Sequence, residues 1–285
     1  MSEEHGKVNR RKFLAGAGMA MAGAAAGFLG HGIVPEPAVA ANEPSSWPLP
    51  YTTLDEELAR KKGHEGYYIN SCSQGAFYAI ISQLREKIGV PYTYIPFELM
   101  AYGKSGVAGW CTLCGALNGA CAAISLTCKD YKALTGDLVA WFTQTPFPSQ
   151  ISNQYAEKHQ FLVDKYKTDI ALPQTVPGSP LCHVNVSRWC KEHGYASGSS
   201  ERSERCARTS GDVAAMAVKI MNDYHAGKFK PMYAESKTAK DCRVCHAKGK
   251  PFESGGWTRG KMNCSDCHIE GDVSLIKSKD HCKKK

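Results

Sequence analysis

Ser71-Cys72-Ser73-Gln74-Gly75-Ala76-Phe77-Tyr78-Ala79-Ile80-Ile81-Ser82-Gln83-Leu84-Arg85-Glu86-Lys87-Ile88 decides the fold class of this chain. Phe77, Ile80, Ile81, Leu84 and Ile88 recur at three- and four-residue steps, the period of a helix with one apolar face. A half-buried strand would alternate every second residue instead. Ser71 with Gln74 three residues on reads as a capping box that opens the helix. Toward the N-terminus, Thr53-Leu54-Asp55-Glu56 reads as a second capping box opening a short helix. Toward the C-terminus, residues 108–126 are small and apolar around Cys111, Cys114 and Cys121, which suits a close-packed buried helix. Leu134, Leu138, Trp141 and Phe142 mark another helix, and residues 149–166 a further one. Pro173, Pro177, Gly178 and Pro180 break the pattern before helices near 182–193 and 205–224. No stretch alternates convincingly. The prediction is a mainly α protein, with a helical, cysteine-rich body over 41–235 and a small, irregular segment over 236–285.

At 285 residues and 43% apolar composition, the chain can bury one sizeable core and a smaller appendage. Its formal net charge of +8 is modest. Residues 236–285 hold twelve Lys/Arg against six Asp/Glu, so the excess is concentrated in the tail. Such a tail could meet nucleic acid or anionic lipid. No nucleic-acid-binding motif accompanies it, so no nucleic-acid partner is expected.

Residues 1–40 read as an address. Asn9-Arg10-Arg11-Lys12-Phe13-Leu14 carries a twin-arginine pair, an Ala/Gly/Met-rich run follows to about Leu29, and Ala38-Val39-Ala40 offers a small-residue cleavage site. Cleavage near Ala40 predicts a mature chain in the periplasm with no membrane span. The twin-arginine route carries folded proteins, typically with a cofactor loaded beforehand. That choice of route suggests that one cofactor is loaded in the cytoplasm.

The tail spells C-x-x-C-H twice, as Cys242-Arg243-Val244-Cys245-His246 and Cys264-Ser265-Asp266-Cys267-His268. In c-type attachment the two thiols add to the haem vinyl groups, and the adjacent histidine ligates the iron from the proximal side. The competing reading is a zinc ribbon, since C-x2-C-x18-C-x2-C also fits four thiolates. The histidine directly after each pair, the export signal and the spare histidines favour two haems. Pro251, Gly255, Gly256 and Gly260 leave the tail little core, so haem faces are expected to order it. For distal ligands, His225, before the first motif, and His281, after the second, are best placed. His64 is the reserve, and Met232 and Met262 are less favoured.

Nine cysteines lie outside these motifs: Cys72, Cys111, Cys114, Cys121, Cys128, Cys182, Cys190, Cys206 and Cys282. Disulfides alone leave one over. The plain alternative is buried small hydrophobes or disulfides. The sharper one is a thiolate-bound iron–sulfur cluster, which needs about four converging cysteines.

Asn70-Ser71-Cys72-Ser73-Gln74, Cys114-Gly115-Ala116-Leu117-Asn118-Gly119, Cys182 and Cys206 resemble the redox family named for its C, GCAxxG, C and C elements. Here the second element reads C-G-A-x-x-G. Glu204-Arg205-Cys206-Ala207 followed by Gly211-Asp212-Val213-Ala214 strengthens the match. With two C-x-x-C-H motifs appended, residues 51–285 resemble the split-Soret cytochromes c of sulfate-reducing bacteria. The resemblance implies a homodimer with four clustered bis-histidine haems, one axial histidine crossing the interface, and a non-haem iron–sulfur centre. It maps the cluster ligands onto Cys72, Cys114, Cys182 and Cys206; Cys111, Cys121, Cys128 and Cys190 are substitutes, and His183 would stand behind Cys182.

The predicted function is electron transfer between periplasmic redox proteins, such as cytochromes or a hydrogenase, with no enzymatic step. The alternative is a small haem reductase with one open coordination site.

Overall fold

Helix α1 runs from Glu56 to Ile88 and is broken in its middle, at Asn70 (φ −155°, ψ 46°) and Ser71 (φ 72°, ψ −178°). The computed structural model that shows this describes residues 46–247, Gly256, 258–266 and His268. The predicted signal and cleavage site, Cys267 and His281 lie outside the described residues. At the start of α1 the Asp55 side chain accepts from the Leu58 N–H, so the cap is Asp55 rather than Thr53. At the break, Asn70 Nδ2 donates to Gln74 Oε1 at 2.7 Å. Gln74 therefore serves Asn70 instead of closing a box on Ser71.

After α1 come α2 (Gly115–Thr127), α3 (Tyr131–Gln144), α4 (Gln150–Glu157), α5 (Cys182–His193), α6 (Ser200–His225) and α7 (Lys237–His246). Among the described residues strands are limited to isolated bridges, Leu113 with Leu181, Phe147 with Thr175 and Ala247 with Gly256. The mainly α class is as the spacing predicts. Two further local expectations differ. Residues 108–114 precede α2 as turns, with Ala108, Gly109 and Cys111 at positive φ. Helix α4 stops at Glu157 and does not reach 166, because His159 turns to φ 51° and the Arg208 guanidinium holds the following loop by the carbonyls of Thr168 and Ile170, each at 2.8 Å.

α1 packs most extensively on α6, and next on α2. Phe77, Ile80, Ile81 and Leu84 of α1 meet Leu117 and Ile124 of α2, Leu138 and Phe142 of α3, and Val213, Ala214, Ala217, Val218 and Met221 of α6 in one core. Contact is close enough that a Cβ at Gly63 would lie 2.9 Å from the Gly211 Cα. The first half of α6 is polar yet buried, and its partners explain why it can be. Asp212 accepts from Ser149 N–H (2.8 Å), Ser149 Oγ (2.5 Å) and Ser152 Oγ (2.6 Å), and pairs with Arg60. Glu204 takes Arg208 Nε (3.0 Å), His64 Nε2 (2.8 Å) and the Tyr68 hydroxyl. Burial alone raises the Glu204 carboxyl, but these partners outweigh it and hold the group below its usual range.

The tail is helical at its start. Ser236 caps α7 by accepting from Ala239 N–H, Ala239 is fully buried, and Arg243 pairs with Glu235. Before it, Asp137 of α3 accepts from the N–H groups of Met232 (2.8 Å) and Tyr233 (2.7 Å), tying the approach to α7 onto the body.

Candidate functional site

Two backbone arrangements gather thiols inside the body. In the first, residues 111–114 lie beside 180–183. Cys114 N–H donates to Pro180 O (2.8 Å), Cys182 N–H to Thr112 O (2.7 Å) and His183 N–H to Cys111 O (3.0 Å). That clasp sets Cys114 and Cys182 side by side. In the second, α2 lies directly on the second segment of α1. A Cβ on Gly115 would stand 2.3 Å from Cys72 Sγ, and one on Gly119 would stand 2.0 Å from the Ser73 carbonyl. Both are impossible contacts, so the two glycines of Cys114-Gly115-Ala116-Leu117-Asn118-Gly119 are what bring Cys72 to Cys114.

Three of these thiols sit where a helix begins. Cys72 is the first helical residue after the break in α1, Cys114 caps α2, and Cys182 opens α5. Helix N-termini present unpaired N–H groups and a positive dipole end, both favourable to a thiolate. Ser71 Oγ donates to Cys72 Sγ at 3.7 Å. Ser71, at φ 72° and ψ −178°, occupies a backbone region that costs a non-glycine residue about 1–3 kcal/mol. That strain is borne at the residue which aims Cys72.

With no metal bound, burial raises all three thiols, Cys114 to about 12, and the neighbouring sulfurs push each further up. Cys72 feels Cys206. Cys114 feels Cys72 and Cys206. Cys182 feels Cys114, Cys206 and Cys72. The four sequence-assigned cysteines are thus one electrostatically linked set, all free thiols. Among the described residues no three His, Cys, Asp or Glu side chains converge tightly enough for one metal ion. Of the substitutes, Cys111 joins the neighbourhood of Cys182 and Cys190 that of Cys206. Cys121 and Cys128 stand apart: burial pushes Cys121 to about 12, and Cys128, pushed by burial to about 11, bonds to Thr127 Oγ1 and His225.

The haem motifs present a different geometry. Cys242 and His246 are one turn apart on the last turns of α7, hence on one face. Burial and the neighbouring Cys264 sulfur raise the Cys242 thiol, so the two motifs meet at their first thiols. His268 is exposed, its N–H donating to Cys264 O at 3.0 Å. On the other side of α7, Ser236 and Lys240 border a groove of about 950 Å³ between tail and body. Tyr131, Val139, Ala140 and Cys121 wall it on the body side, and Tyr233, Met262 and Asn263 on the tail side. A flat apolar group tethered near Cys264 fits such a cleft.

The distal candidates are placed as follows. His225 ends α6, stacks on Tyr51 with ring centroids 4.1 Å apart, and lies 3.6 Å from Cys128 Sγ. Burial lowers its pKa. His64 is fully buried, stacked on Phe161 at 3.8 Å and committed through Nε2 to Glu204, with Nδ1 unpartnered. Burial keeps His64 neutral, outweighing Glu204. His64 is thus integral to the body's packing. Sequence reading missed Tyr67 and Arg202, which flank Cys206. The i, i+4 spacing of Arg202 and Cys206 on one helix was a usable signal for the arginine; nothing in the sequence marked Tyr67.

A family model described as "Putative redox-active protein (C_GCAxxG_C_C)" matches residues 70–220. The chain is 32% identical over 278 residues to the split-Soret cytochrome c of Desulfovibrio desulfuricans, covering 92% of this chain and 94% of that protein. It also resembles a solved structure, described as a novel iron centre in the split-Soret cytochrome c from Desulfovibrio desulfuricans. There the TM-score is 0.68 at 30% identity, over 79% of this chain and 92% of the other. Gathered thiols in a helical body, paired C-x-x-C-H motifs beside it, and agreement along nearly the whole length leave one placement: this chain belongs to the split-Soret cytochrome c family.

Proposed function

We propose that this protein is a periplasmic electron carrier with two bis-histidine c-type haems and an iron–sulfur centre, working as a homodimer with no enzymatic step. The observation that carries the reading is the pairing of two C-x-x-C-H motifs with the linked set Cys72, Cys114, Cys182 and Cys206 in one chain of this family. Cys242, Cys245, Cys264 and Cys267 hold the haems covalently, and His246 and His268 take the proximal positions. His225 and His281 are the distal candidates; His225 must first leave Cys128 and Tyr51. The haem supplies a one-electron couple, whose two strong axial ligands limit rearrangement between oxidation states.

The chain's own part is to hold and insulate. The Tyr131–Val139–Tyr233 cleft shields an apolar face from water, with Lys132, Lys240 and Lys261 at its edge to meet propionates. The helix N-termini at Cys72, Cys114 and Cys182 stabilise thiolates in a buried site. Export by the twin-arginine route accords with a cluster assembled before translocation, and redox partners such as another cytochrome or a hydrogenase meet the exported dimer.

The test is a visible spectrum of the purified mature protein, oxidised and reduced, with a pyridine haemochrome assay and total iron. Two haems per chain, low-spin bands and iron in excess of haem are expected. Iron equal to haem removes the cluster. High-spin bands, or carbon monoxide binding without denaturation, select the reductase alternative.

A further inference from the structure

The geometry points to the face around Met232 as a docking surface for a redox protein with an acidic exterior. The inference deepens the electron-carrier reading, on which it rests for what the partner exchanges. Two clefts that meet at Asp137 make up the face. Lys132, Lys240 and Lys261 stand at the larger, described above, and Lys219, Lys228 and Lys230 line a smaller one of about 290 Å³. Asp137 borders both, and by accepting from the N–H groups of Met232 and Tyr233 it fixes the segment that runs between them.

The acids of this face are spent, and its cations are not. Asp137 is buried and committed to those N–H groups, Asp223 pairs with Lys219, and Glu235 pairs with Arg243. Lys132, Lys228, Lys230, Lys240 and Lys261 are exposed and form no ion pair among the described residues. Two large apolar side chains reach solvent between them, Met232 at 63% and Met262 at 39%. A small, soft apolar centre ringed by ammonium groups is the composition of a transient protein interface, with methionine suited to the middle and lysine to the wet rim. Encounters of this kind bury little area and rely on charge to bring the partners together.

Phosphate-bearing partners fit less well. No arginine, whose planar fork grips phosphate in two places, lines either cleft. Neither cleft exposes the Trp, Phe or Leu side chains that enter a lipid headgroup layer. Asn263, next to Cys264 of the second C-x-x-C-H motif, lines the larger cleft, so a protein seated here stands beside a haem attachment point. Haem propionates would take up part of the charge at that cleft and leave Lys228 and Lys230, in the other, for the partner.

The test uses a reduced two-iron ferredoxin of acidic surface as probe, which gives one electron to an oxidised haem with no bond made or broken and no proton moved. Its rate of haem reduction is followed against salt in the full exported protein and in two variants of equal charge change. Lys228→Gln with Lys230→Gln removes charge from the smaller cleft; Lys158→Gln with Lys191→Gln removes it from exposed positions that line neither cleft. The cleft pair should slow the reaction about tenfold at low ionic strength and the control pair far less. All three proteins should converge near 1 M salt, where the screening length is about 3 Å. Equal slowing in both pairs reduces the effect to net charge and overturns the proposal, as does an unslowed cleft pair. Binding of duplex DNA or of phosphatidylserine vesicles that the cleft pair abolishes, with the ferredoxin rate unmoved, assigns the face to phosphate and also overturns it. A chain without covalent haem would sink the carrier reading instead; titration with fluorescently labelled ferredoxin would still decide the docking face.

Discussion

The body and the tail of this protein both use cysteine, in opposite ways. In the tail, five contiguous residues carry a whole attachment site, and Cys242 and His246 share a face simply because they lie one helical turn apart. In the body, Cys72, Cys114, Cys182 and Cys206 come from four helices, and packing alone makes them neighbours. A contiguous motif survives rearrangement of its surroundings. A distributed one is only as good as the contacts between its helices, which is why glycines stand at Gly115 and Gly119.

Four experiments break or sharpen that contrast. The largest effect belongs to the tail: C264A together with C267A should halve the covalent haem per chain, read by pyridine haemochrome, and leave the helical signal of the body and its unfolding midpoint unmoved. A collapse of the body would mean that the two regions are not separable in this way. Next, Gly119→Ala drives a methyl into the Ser73 carbonyl, so it should cost about 3 kcal/mol in denaturant unfolding and deplete non-haem iron while haem content stays whole. A harmless Gly119→Ala would show that the α1–α2 contact can relax.

A smaller effect comes from pH. His64 is held neutral in the fold and takes a proton when unfolded near pH 6.5, so its contribution is present above that pH and falls away as pH drops toward its lowered folded value. Glu204 is held ionised, so its contribution fades at still lower pH, from about 4.3 downward. Both act in the same direction. Unfolding free energy should decline on acidification from pH 7, and a His64→Gln variant should flatten the upper part of that decline. A wild-type profile flat between pH 7 and 5 would contradict the assignment. The smallest effect is Ser71→Gly, which relieves the backbone at φ 72° and should stabilise the body by about 1 kcal/mol. A shifted cluster signal would accompany it, since Cys72 would be aimed less firmly.

Legibility in the sequence followed the same division. The amphipathic spacing of Phe77, Ile80, Ile81 and Leu84, and the C-x-x-C-H repeats, are local patterns, and they showed without coordinates. The candidate cluster cysteines were assigned through resemblance to a family pattern, because nothing about Cys182 by itself says that Pro180 pairs with Cys114. Ser71 was read as an ordinary cap, since backbone strain imposed by tertiary packing leaves no trace in residue type. His64 looked like a spare histidine between Gly63 and Glu65. Only the fold reveals Glu204 and Phe161 on either side of it.

The pairing of α1 with α6 joins the first and last helices of the body, as in the bond between Tyr67 and Ser203, 136 residues apart. Contacts of such long range close late in folding, after nearer partners have formed. The proposed centre, drawing on both helices, would therefore come into being only when the chain has finished its slowest step. Iron uptake would then time-stamp the completion of folding, and a molecule bearing the cluster would be one whose final helix had already docked.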